Sequence, residues 1–160
     1  MFFLMQDSMT ISLSCERDTI RLGNNIARIL KLRDCISLSG DIGSGKSFLA
    51  RSIIRFLTKN EKLEVLSPTF TLVQIYDAKI PIAHFDFYRL SGPQDFFEIG
   101  FDETLHEGIC IVEWPERGEE FLPTHRIRIH LDQEGTGRTA TISAKNSIIK
   151  SLKILVFAEK

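Results

Sequence analysis

The sequence predicts an α/β fold, a sheet with flanking helices and a C-terminal β-hairpin. Three observations lead there. Short apolar runs alternate with segments of helical apolar spacing, a glycine-rich turn joins one such run to one such helix, and two alternating segments near the C-terminus face each other across a polar stretch. The 160 residues, 43% apolar and 26% charged, have the proportions of one globular domain. At this length roughly 70% of the unfolded chain's surface can be buried, so neither a disulfide nor a structural metal is needed.

Regular patterning starts near Ile11, so residues 1–10 are read as a ragged, disordered or misassigned start and residues 11–160 as the domain. Ile11, Leu13 and Cys15 alternate with Ser12 and Ser14, as in a strand with one buried face. Ile20, Leu22, Ile26, Ala27, Ile29 and Leu30 then supply a helical face, with Asp18 or Thr19 as its cap. Cys35 to Leu38 is a buried strand running into a glycine turn, and Ser47 to Thr58 carries apolar residues at helical spacing. The middle reads as β-rich: Val65-Leu66, Phe70 to Tyr76, and Ile82 to Tyr88 after a turn at Asp77 to Pro81. Gln94 to Thr104 predicts a short acidic helix, and Gly108 to Val112 a buried strand ending at Glu113. Arg126 to Leu131 and Thr139 to Ser143 form the predicted hairpin, and Asn146 to Lys160 a final amphipathic helix.

Between the Cys35 strand and the Ser47 helix lies Gly40-Asp41-Ile42-Gly43-Ser44-Gly45-Lys46-Ser47, a complete G-x-x-x-x-G-K-[ST] motif in the context that gives it meaning. Glycines let the backbone curl so that successive N–H groups face phosphate oxygens, and the helix N-terminus adds partial positive charge. Lys46 is then placed for the terminal phosphates and Ser47 for Mg2+. The fold class is therefore α/β and P-loop NTPase-like, and the function is nucleotide binding.

Hydrolysis needs more than a cradle: a metal-facing carboxylate and a positioned water. Glu113, directly after an apolar strand, and Asp86, between Phe85 and Phe87, are the two candidates. An acid flanked by aromatics is paired, with Arg89 for example, or faces a metal or water. Ser67-Pro68-Thr69 offers two hydroxyls beside a rigid proline, suited to holding an oxygen near phosphate, or simply starting a strand. Trp114 either packs against the nucleotide site or fills core, the commoner fate of a lone tryptophan, and His84 is read as structural, since neither it nor His106 has partners at metal-ligand spacing.

A net charge of -1 argues against a protein that grips nucleic acid mainly through phosphate neutralisation and leaves room only for a local basic patch. Three widely spaced cysteines, Cys15, Cys35 and Cys110, fit reduced thiols, and no apolar run approaches the ~18 residues of a membrane span. The expected location is cytoplasmic.

Taken together, the cradle Gly40 to Ser47, Ser67-Pro68-Thr69-Phe70, His84-Phe85-Asp86-Phe87-Tyr88-Arg89-Leu90 and Val112-Glu113-Trp114-Pro115-Glu116 closely resemble the bacterial TsaE (YjeE) family, over about Ile11 to Ser143. These are ATPases of tRNA threonylcarbamoyladenosine biosynthesis. The resemblance implies a small P-loop fold, ATP with Mg2+, and weak hydrolysis. It also implies protein partners of the TsaB and TsaD type, which transfer threonylcarbamoyl to N6 of adenosine at tRNA position 37, with tRNA met indirectly. Residue by residue it implies phosphate contact by Asp41, Ile42, Gly43, Ser44, Gly45, Lys46 and Ser47, Mg2+ ligation by Ser47 and Glu113, a switch-like contact by Thr69, and catalysis by Asp86 with Glu113. Ser47 stands where the family usually has Thr, which keeps the hydroxyl, and Phe87 where it often has an aliphatic residue. Arg138 and the Leu13 to Thr19 segment are candidates for the adenine side.

A regulatory GTPase would need a guanine-reading motif, and Thr58-Lys59-Asn60-Glu61 ends in the wrong acid and falls too early. A small-molecule kinase would need a lid, and Arg89 and Arg117 come with no lid-like insertion. A nucleotide-gated interaction module is the non-enzymatic alternative.

Overall fold

The computed structural model describes residues 6–159. Seven strands, β1 (Gln6–Leu13), β2 (Cys35–Ser39), β3 (Val73–Tyr76), β4 (Ile82–Asp86), β5 (Ile109–Glu113), β6 (Ile127–Glu134) and β7 (Gly137–Lys145), form one sheet in the order β1-β7-β6-β2-β5-β4-β3. The inner strands β6, β2, β5 and β4 run parallel, and antiparallel pairing adds β7 and β1 at one end and β3 at the other.

Buried parallel strands read as continuous apolar runs because helices cover both faces. Here β5 is buried at every position. Its alternate residues face two cores. Ile109 and Ile111 join Ile36, Leu38, Ile82 and Ile129 against helices α1 (Glu16–Ile29), α2 (Lys46–Thr58) and α5 (Asn146–Ala158). Cys110 and Val112 join Cys35, Ala83, Phe85 and Phe87 against α3 (Pro93–Glu98) and α4 (Phe101–Glu107). The second core is aromatic: Phe87 meets Phe96 edge-on at 4.4 Å, and Phe85 meets Phe101 at 5.2 Å.

Several elements depart from the expectation. Residues 6–10, read as part of a ragged start, are the first five of the eight residues of β1, paired with β7 from Gln6 opposite Lys145 onward; residues 1–5 lie outside the described residues. A polar segment at an edge gains its strand character from that partner, which alternation alone does not reveal. Cys15 is not on a strand face but is the exposed N-cap of α1, where Asp18 turns back to accept the Ser14 N–H at 2.9 Å. Val65-Leu66 forms no strand, and β3 begins only at Val73. The single helix expected over Gln94 to Thr104 is two, because Gly100 adopts the left-handed region (φ 66°) that ends α3 and opens α4. Strands β6 and β7 are longer than their alternation suggested. They close through a two-residue turn, Gly135-Thr136, with Glu134 opposite Gly137.

Candidate functional site

Open α/β sheets bind ligands at the carboxyl ends of their parallel strands. At that edge β2 runs into the 40–45 turn, β5 ends at Glu113 and β4 at Asp86. In the turn, Gly40, Gly43 and Gly45 adopt φ of 137°, 81° and 106°, conformations that a side chain disfavours. A Cβ on Gly40 would lie 2.4 Å from the Leu131 carbonyl, so the turn is pressed onto β6 as well as coiled. Helix α2 starts at the last two residues of the motif, Lys46 and Ser47.

Lys46 folds its ammonium onto the turn, donating to the Gly40 and Asp41 carbonyls at 2.6 and 2.9 Å, and lies 4.2 Å from the Trp114 ring centroid. Burial lowers its pKa against the opposing pull of Glu113, Glu116, Asp41 and Asp86. Trp114 is half-buried and walls the cleft rather than filling core. Its backbone sits in the left-handed region (φ 56°), and its ring packs on Tyr88 at 5.0 Å.

Two acids dominate the floor. The register pairs Asp86 with Glu113, so both side chains leave neighbouring strands on the same face. Glu113 is 1% exposed and accepts hydrogen bonds from Ser47 Oγ at Oε1 (2.7 Å), and from His84 Nε2 (2.8 Å) and Ser67 Oγ (3.1 Å) at Oε2. Burial pushes the Glu113 carboxyl up, but these donors and the charge of His84 outweigh it and hold the group below its ordinary value. Asp86 accepts Ser67 Oγ (3.2 Å) and Thr69 Oγ1 (3.1 Å) at Oδ2 and the Tyr88 N–H (2.9 Å) at Oδ1. Its partners are hydroxyls and backbone, not Arg89, whose guanidinium stacks 4.2 Å from the Phe70 ring centroid.

The cleft so formed, about 410 Å3, is lined by Ile42, Gly43, Gly45, Lys46, Ser47, Phe48, Ser67, Thr69, Asp86, Tyr88, Glu113 and Trp114. Arg138, at the start of β7 and opposite Leu13 of β1, lays its guanidinium over the turn, with Nη2 3.3 Å from the Gly43 carbonyl. The structure thus gathers the cradle residues, Arg138, Thr69, Asp86 and Glu113 at one place. Ser67, the other hydroxyl of the Ser67-Pro68-Thr69 stretch, bridges the two carboxylates, and the structure adds His84. His84 lies behind Glu113 rather than idly in the core. The signal was present: His84 and Asp86 are two apart on one strand, hence on one face.

The residues suit a nucleotide with its cation. Ser44 Oγ and Arg138 Nε, both beside the turn, are buried without a hydrogen-bond partner among the described residues, as phosphate donors awaiting acceptors would be. Ser47 Oγ and Glu113 Oε1 are hard oxygen ligands. Among the described residues no group of three or more His, Cys, Asp or Glu could hold a metal ion; a cation at this place would need most of its shell from phosphate and water, which suits Mg2+. The tetrapeptide Thr58 to Glu61 sits at the far end of α2, about 20 Å along the helix from the cradle, out of reach for base reading.

Fold and site together define an α/β protein of the P-loop type. Comparison with known proteins narrows this. Residues 13–141 match the family model described as threonylcarbamoyl adenosine biosynthesis protein TsaE. The chain is 37% identical over 122 residues to a Rickettsia conorii protein named tRNA threonylcarbamoyladenosine biosynthesis protein TsaE, covering 76% of this chain and 69% of that one. A Haemophilus influenzae protein of the same name is 32% identical over 153 residues, covering 91% and 96%. The crystal structure of Bacillus subtilis YdiB superposes with a TM-score of 0.79 at 27% identity, over 98% of this chain and 99% of that one. The chain belongs to the TsaE family.

Proposed function

We propose that the chain binds ATP with Mg2+ and hydrolyses it slowly, as the ATPase subunit required for N6-threonylcarbamoyladenosine modification at tRNA position 37. The observation that carries the reading is the convergence of Lys46, Ser47, Asp86 and Glu113 on one cleft beside a glycine turn, within a chain of the TsaE family. The curated relatives carry that biosynthetic role in their names.

In this reading the turn 41–45 and the N-terminus of α2 cradle the phosphates, and Lys46 leaves the Gly40 and Asp41 carbonyls for phosphate oxygens. Ser47 and Glu113 hold Mg2+, which supplies charge neutralisation at the phosphates. Asp86 orients the attacking water, and Thr69 makes the switch-like phosphate contact. Arg138 closes over the nucleotide from the β1 and β7 side. The segment from Ser67 to Thr71 is ordered by ATP and released on hydrolysis, so the surface offered to partners of the TsaB and TsaD type follows the bound nucleotide. The buried, unlinked thiols of Cys35 and Cys110 support a cytoplasmic setting.

The test is ATP against GTP binding by the purified chain, with and without Mg2+, followed by phosphate release alone and with the two partner proteins and tRNA. ATP preference with partner-stimulated release supports the reading. GTP preference, or release indifferent to the partners, moves the weight to a switch or kinase.

A further inference from the structure

Glu113 is held by three donors, and His84 differs from the other two. Ser47 and Ser67 line the cleft, whereas His84 is absent from its wall and wholly buried on β4, behind the carboxylate. Its Nε2 lies 2.8 Å from Glu113 Oε2. An ionised carboxylate only accepts, so the imidazole must carry a proton on Nε2. Nδ1 has no hydrogen-bond partner among the described residues. Among the described residues the ring's hydrogen bonding therefore runs through Glu113.

The two carboxylate oxygens are used differently. Oε2 takes His84 and Ser67, while Oε1 takes only the Ser47 hydroxyl, the other proposed cation ligand. A buried carboxylate with a fixed donor behind one oxygen can neither rotate nor swing, so its second oxygen keeps one direction. From this geometry we infer that His84 is a positioning residue: its Nε2–H clamps Glu113 Oε2 and thereby aims Oε1, with Ser47 Oγ, at the divalent cation of the bound nucleotide. The inference rests on the ATP and Mg2+ reading and adds to it the group that orients its metal ligand. It predicts an effect on the cation, with little on the phosphate cradle, because the hydrogen bond of His84 goes to Glu113 and not to the turn or the first residues of α2.

The experiment is a Mn2+ titration, read by the paramagnetic resonance of free Mn2+, of the full chain saturated with a non-hydrolysable ATP analogue. A parallel nucleotide titration in chelator is read by fluorescence of Trp114, the single tryptophan. His84→Leu removes the donor, His84→Asn keeps an amide too short to reach Glu113, and His84→Gln places an amide N–H near the Nε2 position. Loss of such an outer partner weakens metal affinity by about 10–100-fold. That loss is expected for His84→Leu and His84→Asn, with most of it recovered in His84→Gln and metal-free nucleotide affinity unchanged throughout. Should His84→Leu not fold, the contrast between Asn and Gln carries the test. Unchanged Mn2+ affinity in His84→Asn, or equal loss in Asn and Gln, overturns the inference while the ATP reading stands. An unsubstituted chain that binds no nucleotide overturns both.

Discussion

Among the side chains of the cleft, Lys46 supplies the positive charge that faces Glu113, Glu116, Asp41 and Asp86. Its two backbone acceptors hold it in place until phosphate oxygens compete for it. Lys46→Ala is expected to abolish ATP binding, a loss of at least about 100-fold, since charged hydrogen bonds contribute about 1.5–3 kcal/mol each; isothermal titration checks it. Glu113→Ala should act differently, slowing turnover by about 100-fold while nucleotide affinity changes far less. An unchanged rate at saturating ATP and Mg2+ would remove Glu113 from the mechanism. The same residue gives a pH dependence. Its folded pKa lies below the ordinary 4.5, so its share of stability is complete above that value and is lost as pH falls through the folded pKa. Acid titration of unfolding should show a shallower limb below about pH 4.5 in Glu113→Gln than in the unsubstituted chain.

At the scale of elements, α2 is the rigid base of the site because α1 packs against it without a gap. Gly23 of α1 makes that approach possible: a Cβ there would lie 2.7 Å from the Ser52 Cβ. Gly23→Ala is expected to destabilise the chain by about 1–3 kcal/mol through overpacking, seen as a lowered melting temperature. A rise in melting temperature would mean the helices part easily. The segment ahead of β3 is held more lightly. Ser67 and Thr69 reach Asp86, the Leu72 N–H donates to the Pro68 carbonyl at 2.8 Å, and the Asp86 N–H donates to the Leu72 carbonyl at 3.0 Å. Exposed Leu66 and Phe70 contribute little burial, so a few hydrogen bonds decide its order.

For the whole molecule, the balance of 20 basic and 21 acidic residues provides no long-range attraction for tRNA, and no helix among the described residues is long and apolar enough to cross a membrane. Protease sensitivity around Ser67 to Thr71 and affinity for the partner proteins should both differ between the ATP and ADP forms. Equal values in the two forms would show that nucleotide does not gate association.

The strand, glycine turn and helix at Cys35 to Thr58 were legible in the sequence, since they are consecutive and their geometry follows from local residue preferences. The sequence also marked Asp86 and Glu113, because an acid inside or at the end of an apolar strand is conspicuous. The strand character of residues 6–10 was not legible because it depends on pairing with β7, and the helix break at Gly100 was not because a glycine inside a helical pattern fits either a continued helix or a cap. Only the tertiary structure decided which groups hold the two carboxylates. Ser47, Ser67 and His84 lie 66, 46 and 29 residues from Glu113 and meet there because the strand order places β5 between β2 and β4. Local pattern encodes which face a residue occupies, while long-range strand pairing selects what stands opposite it.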